Sequence, residues 1–355
     1  MAGDGMWIWY VSRAHGGNVK RIAKRAKRSG IEYVLIKSGD AGRTWSQFSP
    51  KLVRALNARG LKVCAWQFVY GRIPAREARV GAAAVRRGAD CLVIDAEGHY
   101  EGRYPQASTY MRTLRGLVGP DYPLALAAFP YVDYHPAFPY SVFLGPNGAQ
   151  YNAPQLYWKT IGTSVDEAFV HTWVFNRAYG RPILPLGQVY LNPNGRQIKR
   201  FRRLAQAYGM EGVSWWSWQH ARKRQWKAVG KRVKPLSSSI VYDSYPTLRP
   251  GSKGDLIAWA QQLLAGGGFS TPITGYYEAP TRGAVSSLQS SRGLPATGSI
   301  DSATWRVMLE FEPVAVRWTK KGAVPASGKG LVLPPPRSAA LPAKRYEIPS
   351  SPRRP

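Results

Sequence analysis

Between residues 6 and 234 short apolar runs alternate with stretches whose apolar positions recur at helical spacing. The apolar runs predict strands at 6–12, 32–38, 61–69, 91–96, 123–129, 154–158, 183–190 and 212–218. Several are almost wholly apolar, as strands covered on both faces must be. The helical stretches fall at 18–29, 50–59, 74–87, 108–117, 165–179 and 196–208. Each ends at or near a glycine, which takes the left-handed conformation past a helix end without a Cβ clash. Eight strands alternating with helices in about 230 residues predict an α/β fold, a (β/α)8 barrel of the TIM type over residues 1–234. An open doubly wound sheet is the alternative, but no glycine fingerprint follows the first strand. Residues 131–153, rich in Tyr, Pro and Gly, read as a loop at the barrel mouth.

Past this region the pattern changes. Residues 220–234 predict a last, very basic helix, facing either solvent or an anionic polymer. Residues 235–245 read as a linker, 246–312 as a small all-α module, and 313–355 as a flexible Pro-rich tail with nine Lys or Arg against one acid. Over the whole chain 50 Lys and Arg oppose 20 Asp and Glu, a formal charge of +30. That excess implies an anionic partner: nucleic acid, an anionic membrane, or a polymer such as a bacterial cell wall. The basic residues follow no zinc-finger or RNA-binding signature, which argues against specific nucleic-acid recognition.

Two cysteines, Cys64 and Cys91, each lie in a predicted strand and read as buried free thiols. No stretch approaches the roughly eighteen apolar residues of a transmembrane helix. Met1 to Gly5 runs straight into the first strand without the features of a leader, so delivery outside a cell would use another route. The five histidines form no metal-binding spacing, and neither metal nor cofactor is expected.

The candidate chemistry starts at Cys91-Leu92-Val93-Ile94-Asp95-Ala96-Glu97-Gly98. Residues i and i+2 of a strand point to the same side, so Asp95 and Glu97 emerge together. Two acids held that close cannot both ionise freely, and one fold thereby obtains a general acid and an anionic stabiliser. The alternative is that they cap the strand or pair with arginines. Barrel chemistry lies at the carboxyl ends of strands. There the sequence places Asp40, Trp66, Gln67, Tyr131, Asp133, Gln155, Tyr157, Gln188 and Trp218. Aromatic faces stack on sugar rings, and amides and carboxylates meet sugar hydroxyls, so the set suits a polysaccharide. Some of the aromatics could equally be barrel filling.

The region 6–221 resembles the family-25 glycoside hydrolases, the muramidase lysozymes, and related glycoside-hydrolase-like barrels. The resemblance is carried by Ile94-Asp95-Ala96-Glu97, Trp66-Gln67-Phe68, Gln155-Leu156-Tyr157-Trp158 and the Trp-rich last strand. Chitinase-type barrels are similar in closing a strand on Asp-x-Glu. Both likenesses imply Glu97 as proton donor and Asp95 as the residue that orients the substrate's 2-acetamido group. The chain departs from the patterns at Tyr10-Val11-Ser12-Arg13, where the first strand brings no acid, and at Gln188 on the seventh. Residues 246–309 resemble the three-helix peptidoglycan-binding domain through Gly251-Ser-Lys-Gly254-Asp255, Leu288-Gln289, Gly293-Leu294 and Asp301-Ser-Ala-Thr304-Trp305. Together they imply an endolysin-like, monomeric wall hydrolase that cuts a glycosidic bond of peptidoglycan. It would act at the bacterial wall as a phage-type or virion-associated lysin, or as an exported protein. The alternative is a non-catalytic wall-binding or virion structural protein with a degenerate glycosidase barrel.

Overall fold

The computed structural model describes residues 1–236 and 240–326. Its strands in chain order are β1 Gly5–Ile8, β2 Tyr33–Asp40, β3 Arg43–Thr44, β4 Lys62–Val69, β5 Cys91–Ala96, β6 Leu124–Ala127, β7 Tyr151–Asn152, β8 Gln155–Leu156, β9 Leu186–Gln188 and β10 Ser214–Trp216. Nine of them form one curled parallel sheet in the order β7-β6-β5-β4-β2-β1-β10-β9-β8, and β3 is a short antiparallel addition to β2.

The expected closed barrel of eight unbroken strands is not formed. The sheet is an open path, a half-barrel whose two edge strands, β7 and β8, are consecutive in the chain. The predicted strand at 154–158 is two residues long as β8, because Pro154 offers no N–H to a ladder and Trp158 already begins a helix.

The helices are α1 Val19–Arg28, α2 Pro50–Asn57, α3 Pro74–Arg86, α4 Tyr104–Val118, α5 Tyr140–Phe143, α6 Trp158–Ile161, α7 Val165–Asn176, α8 Gly195–Ala207 and α9 Lys223–Val229. Local chemistry sets their starts. Asn18 Oδ1 accepts from Arg21 N at 2.9 Å, and Ser164 with Glu167 and Asn194 with Gln197 close reciprocal capping boxes. The basic helix expected at 220–234 is shorter, because it ends at Gly230, where a Cβ would lie 2.8 Å from the backbone of Ser29. None of the described helices is long and apolar enough to cross a membrane.

Strand alternation sorts the core into two layers. Ile8, Ile36, Val63, Ile94 and Leu126 face the helices. Trp7, Leu35, Trp66, Val93 and Leu186 line the concave inner face. Cys64 and Cys91 are on that inner face, directly paired across β4 and β5. Contrary to the reading as free thiols, they form a disulfide, for this register brings their Cα atoms to 4.5 Å.

The carboxyl-terminal region is helical, with α10 Asp255–Gly266, α11 Ala279–Ser291 and α12 Ser302–Met308. It packs on the curled sheet's helical layer. The Asp255 carboxylate accepts from Ser141 N at 2.7 Å, Ser141 Oγ at 2.6 Å and Tyr179 OH at 2.9 Å. Trp259 Nε1 donates to Ala178 O at 2.7 Å. Gly254, at φ +124°, lets the chain pass Pro136, whose Cβ an added Cβ would meet at 2.7 Å.

Residues expected at the start of a flexible tail form a hairpin instead, β11 Val316–Thr319 with β12 Gly322–Pro325. Burial explains it: Trp318 is 2% exposed and its ring lies 4.5 Å from that of Tyr104. The rest of that predicted tail, and residues 237–239 of the predicted linker, lie outside the described residues.

Candidate active site

Asp95 shares the inward side of β5 with Cys91 and Val93, and Glu97 follows one residue past the strand end. Gln155, at the start of β8, reaches both acids. Its Nε2 donates to Asp95 Oδ1 at 3.2 Å and to Glu97 Oε1 at 3.1 Å. Burial, Glu97 and Asp40 push the Asp95 carboxyl well above the ordinary range, against the pull of the Lys37 ammonium. Burial also raises Glu97, against the Gln155 hydrogen bond and His135. The two acids titrate as a pair, so neither proton affinity belongs to one residue alone.

A register shift between Lys37 and Gly39 puts Asp40 on the same side of β2 as Lys37. Lys37 Nζ meets Asp40 Oδ2 at 2.5 Å, although Lys37 is 1% exposed. Its ammonium lies 5.0, 4.7 and 4.8 Å from the ring centres of Trp9, Trp45 and Trp66. An ion pair walled by three aromatic faces satisfies a charge that burial alone would neutralise. Asp40 and Asp95 both pair with Phe68 across β2, β4 and β5, so the two acids occupy one level of the sheet. Tyr70 donates to Asp40 and is pushed up to about 12 by burial first, then by that acid.

The remaining predicted residues divide. Tyr157 is close to the pair: burial, Tyr190 and both acids raise its hydroxyl, and its ring packs edge-on to Tyr190 at 5.3 Å. Trp66 is inside, 1% exposed, donating from Nε1 to Ile8 O at 3.2 Å and touching Trp7 and Trp216. Gln188 is fully buried; its Oε1 accepts from Lys159 N at 2.7 Å and its Nε2 donates to Tyr190 O at 3.2 Å, so it fixes the loops around the pair.

Tyr131 and Asp133 belong to a rim cluster on α7. Tyr131 stacks on His171 at 3.9 Å, and Asp133 Oδ1 lies 2.7 Å from His171 Nε2. Gln67 faces the helical layer, donating to Ala41 O and Glu77 O at 2.9 Å each. Trp218 packs behind β10 against Trp226 at 4.7 Å.

The structure adds residues that the sequence reading did not select. Lys37, Trp9 and Trp45 form the cation site described above. Trp216 closes the inner aromatic wall, 5.5 Å from Trp7 and from Trp9. His135 stacks on Phe129 at 3.5 Å, with Nδ1 2.6 Å from Glu101 Oε1. Alternation along β1 and β10 could have singled out Trp9 and Trp216 as partners of Trp7 and Ser214. Only tertiary packing brings His135 toward Glu97.

Among known proteins, residues 253–308 match the family model described as "Putative peptidoglycan binding domain". None of the curated proteins matches the chain. Of solved structures, the spore cortex-lytic enzyme SleL of Bacillus cereus is similar at 12% identity and a TM-score of 0.48, over 67% of this chain and 76% of that one. A chitinase of Chromobacterium violaceum is similar at 14% identity and a TM-score of 0.46, over 64% and 98%. The catalytic domain of endolysin ply40 from bacteriophage P40 of Listeria monocytogenes gives 12% and 0.31, over 44% and 75%.

Proposed function

We propose that the chain is a cell-wall hydrolase that cuts a glycosidic bond of peptidoglycan and is held on the wall by its carboxyl-terminal module. One observation carries the reading: a single amide, Gln155, holds the carboxyl groups of Asp95 and Glu97 together inside an aromatic-lined concavity. The match of residues 253–308 to a peptidoglycan-binding family supports the target.

Sharing one amide donor at 3.2 and 3.1 Å, the acids lie side by side, whereas an inverting pair flanks the sugar from opposite faces with room for a water. The pair therefore suits the substrate-assisted route. Glu97, less buried and with its proton affinity raised, protonates the leaving oxygen. Asp95, its proton affinity raised by burial and Glu97 and lowered by Lys37, orients the 2-acetamido group whose oxygen attacks the anomeric carbon. Trp9, Trp216 and Tyr190 offer faces and edges to the sugar rings.

A second reading has its own observation. Where the muramidase pattern carries an acid at the end of β1, Tyr10 stacks on Trp9 at 5.8 Å and packs at a tilt against Trp45 at 5.6 Å. That filled position suits a fold kept for binding glycan alone.

Reducing ends released from purified peptidoglycan separate the readings. Wild type should release them, and Glu97→Gln should lower the rate by about 10²–10⁴-fold while sedimenting with wall as before. Equal release by both proteins would remove Glu97 from the role. Release by neither, with sedimentation intact, would establish the binding protein.

A further inference from the structure

A second feature lies away from the carboxyl pair, on the outer surface. A groove of about 780 Å³ runs between the start of α7, one side of α8 and the chain that follows α9. Arg196, Lys199 and Arg203 line one side, and Lys231, Arg232 and Lys234 the other. Its one carboxylate, Asp166, is consumed by Arg200, which reaches it through Nε at 3.0 and 3.1 Å.

The walls are built rather than incidental. Arg203 Nε donates to Lys234 O at 3.0 Å, and Arg202 donates to Lys231 O, so α8 clamps the 231–234 segment alongside itself. Arg202 is in turn anchored on Asp4 at 3.3 Å. The clamp uses backbone carbonyls, and Lys231, Arg232 and Lys234 are exposed. Among the described residues, Arg196, Lys199, Lys231, Arg232 and Lys234 have no acidic partner. A row of like charges at this density repels itself unless a polyanion occupies it.

We propose that this groove binds a linear polymer carrying repeated phosphodiester groups, attached to the bacterial wall, as a second anchor beside the peptidoglycan-binding module. Phosphate fits better than carboxylate or neutral sugar, because lysine and arginine heads on both sides of a channel neutralise a multiply charged backbone without shape-specific pockets. The wall is favoured over nucleic acid by the module matched at residues 253–308. The groove needs no bond cleavage to work, so release of reducing ends tests the hydrolase, and retention on walls tests this site.

The experiment uses the full chain, with walls bearing a covalently attached polyol-phosphate polymer and the same walls stripped of it. Linear inorganic polyphosphate and duplex DNA serve as soluble probes. The variant Arg196→Glu/Lys199→Glu/Arg232→Glu is compared with Arg54→Glu/Arg79→Glu/Arg86→Glu. The second set changes charge equally at exposed arginines on α2 and α3. The milder Lys231→Gln/Lys234→Gln guards against misfolding of the triple variant.

The groove triple should weaken retention on polymer-bearing walls, and polyphosphate affinity, at least tenfold. The double should weaken both severalfold, the control less than twofold, and stripped walls should no longer distinguish groove variant from wild type. Equal losses in the groove and control variants would overturn the proposal in favour of overall charge. So would undiminished wild-type retention on stripped walls. DNA binding that is tighter than polyphosphate binding, and lost with the groove triple, would reassign the site to nucleic acid.

Discussion

Lys37 is the positive charge that acts on Asp95 of the acid pair. Its ammonium pulls the proton affinity of Asp95 down, against burial and two acidic neighbours. In the proposed reaction the acid and alkaline limbs of the pH profile report the two apparent titrations of the pair. Lys37→Met removes the positive charge and keeps the stem among the tryptophans. Asp95 then holds its proton to higher pH, so the acid limb of kcat/KM moves up, while Lys37→Arg leaves it near wild type. An acid limb unmoved in Lys37→Met would disconnect the lysine from the pair.

At this scale the sequence was legible where alternation was applied. Asp95 and Glu97 share a side by their spacing, and Gln155 joins them. Trp66 and Gln67, as neighbours on one strand, had to face opposite ways, and Gln67 is the one turned to the helices. Trp218 keeps the parity of Trp216 in sequence, but β10 ends at Trp216 and the chain turns before Trp218.

Strands β4 and β5 carry the centre of the site, and the Cys64–Cys91 disulfide ties them at the other end of β5 from Asp95. Closing a loop with a sequence separation of 27 residues stabilises by roughly 3.5 kcal/mol in the chain-entropy model. Cys64→Ala/Cys91→Ala should lower Tm by several degrees, and reductant should lower wild type toward the variant. A wild-type Tm indifferent to reductant would mean that the thiols are unpaired in solution. The sequence showed both strands clearly, since each is an apolar run. It could not show the bond, because the pairing depends on a register that no local pattern fixes. The split of 151–156 into β7 and β8 was hidden for a related reason: residues 151–153 read as the end of a loop, and Pro154 interrupts the ladder between them and Gln155.

For the molecule as a whole, the rhythm of the sequence suggested a barrel and a separate module on a linker, yet the packing joins them. Asp255 belongs to the entry motif of the carboxyl-terminal module, and its carboxylate is buried among Ser141, Tyr179 and Tyr104 of the sheet-and-helix region. Composition could not reveal this, because a capping aspartate in water and a buried one read alike. A shared core predicts one cooperative thermal transition for the full chain. Two well-separated transitions would mean independent modules.

The same aspartate gives that interface a pH dependence. Burial raises Asp255 from 3.8 to about 6, so the folded chain binds its proton more tightly than the unfolded chain. The stabilising effect of that proton is fully present below about pH 4 and is lost as pH rises through about 6. The whole effect is on the order of 2–3 kcal/mol. Asp255→Asn cannot ionise, so it should remove this part of the slope of stability against pH between 4 and 6. Asp4, also raised to about 6 by burial, contributes a slope of the same sign to both proteins, and the difference between them isolates Asp255. Denaturant midpoints measured across that range supply the test. Parallel curves for wild type and variant would place Asp255 in water and the module apart from the sheet. Convergence toward acid pH would show that the entry motif of the module is a buried contact in solution.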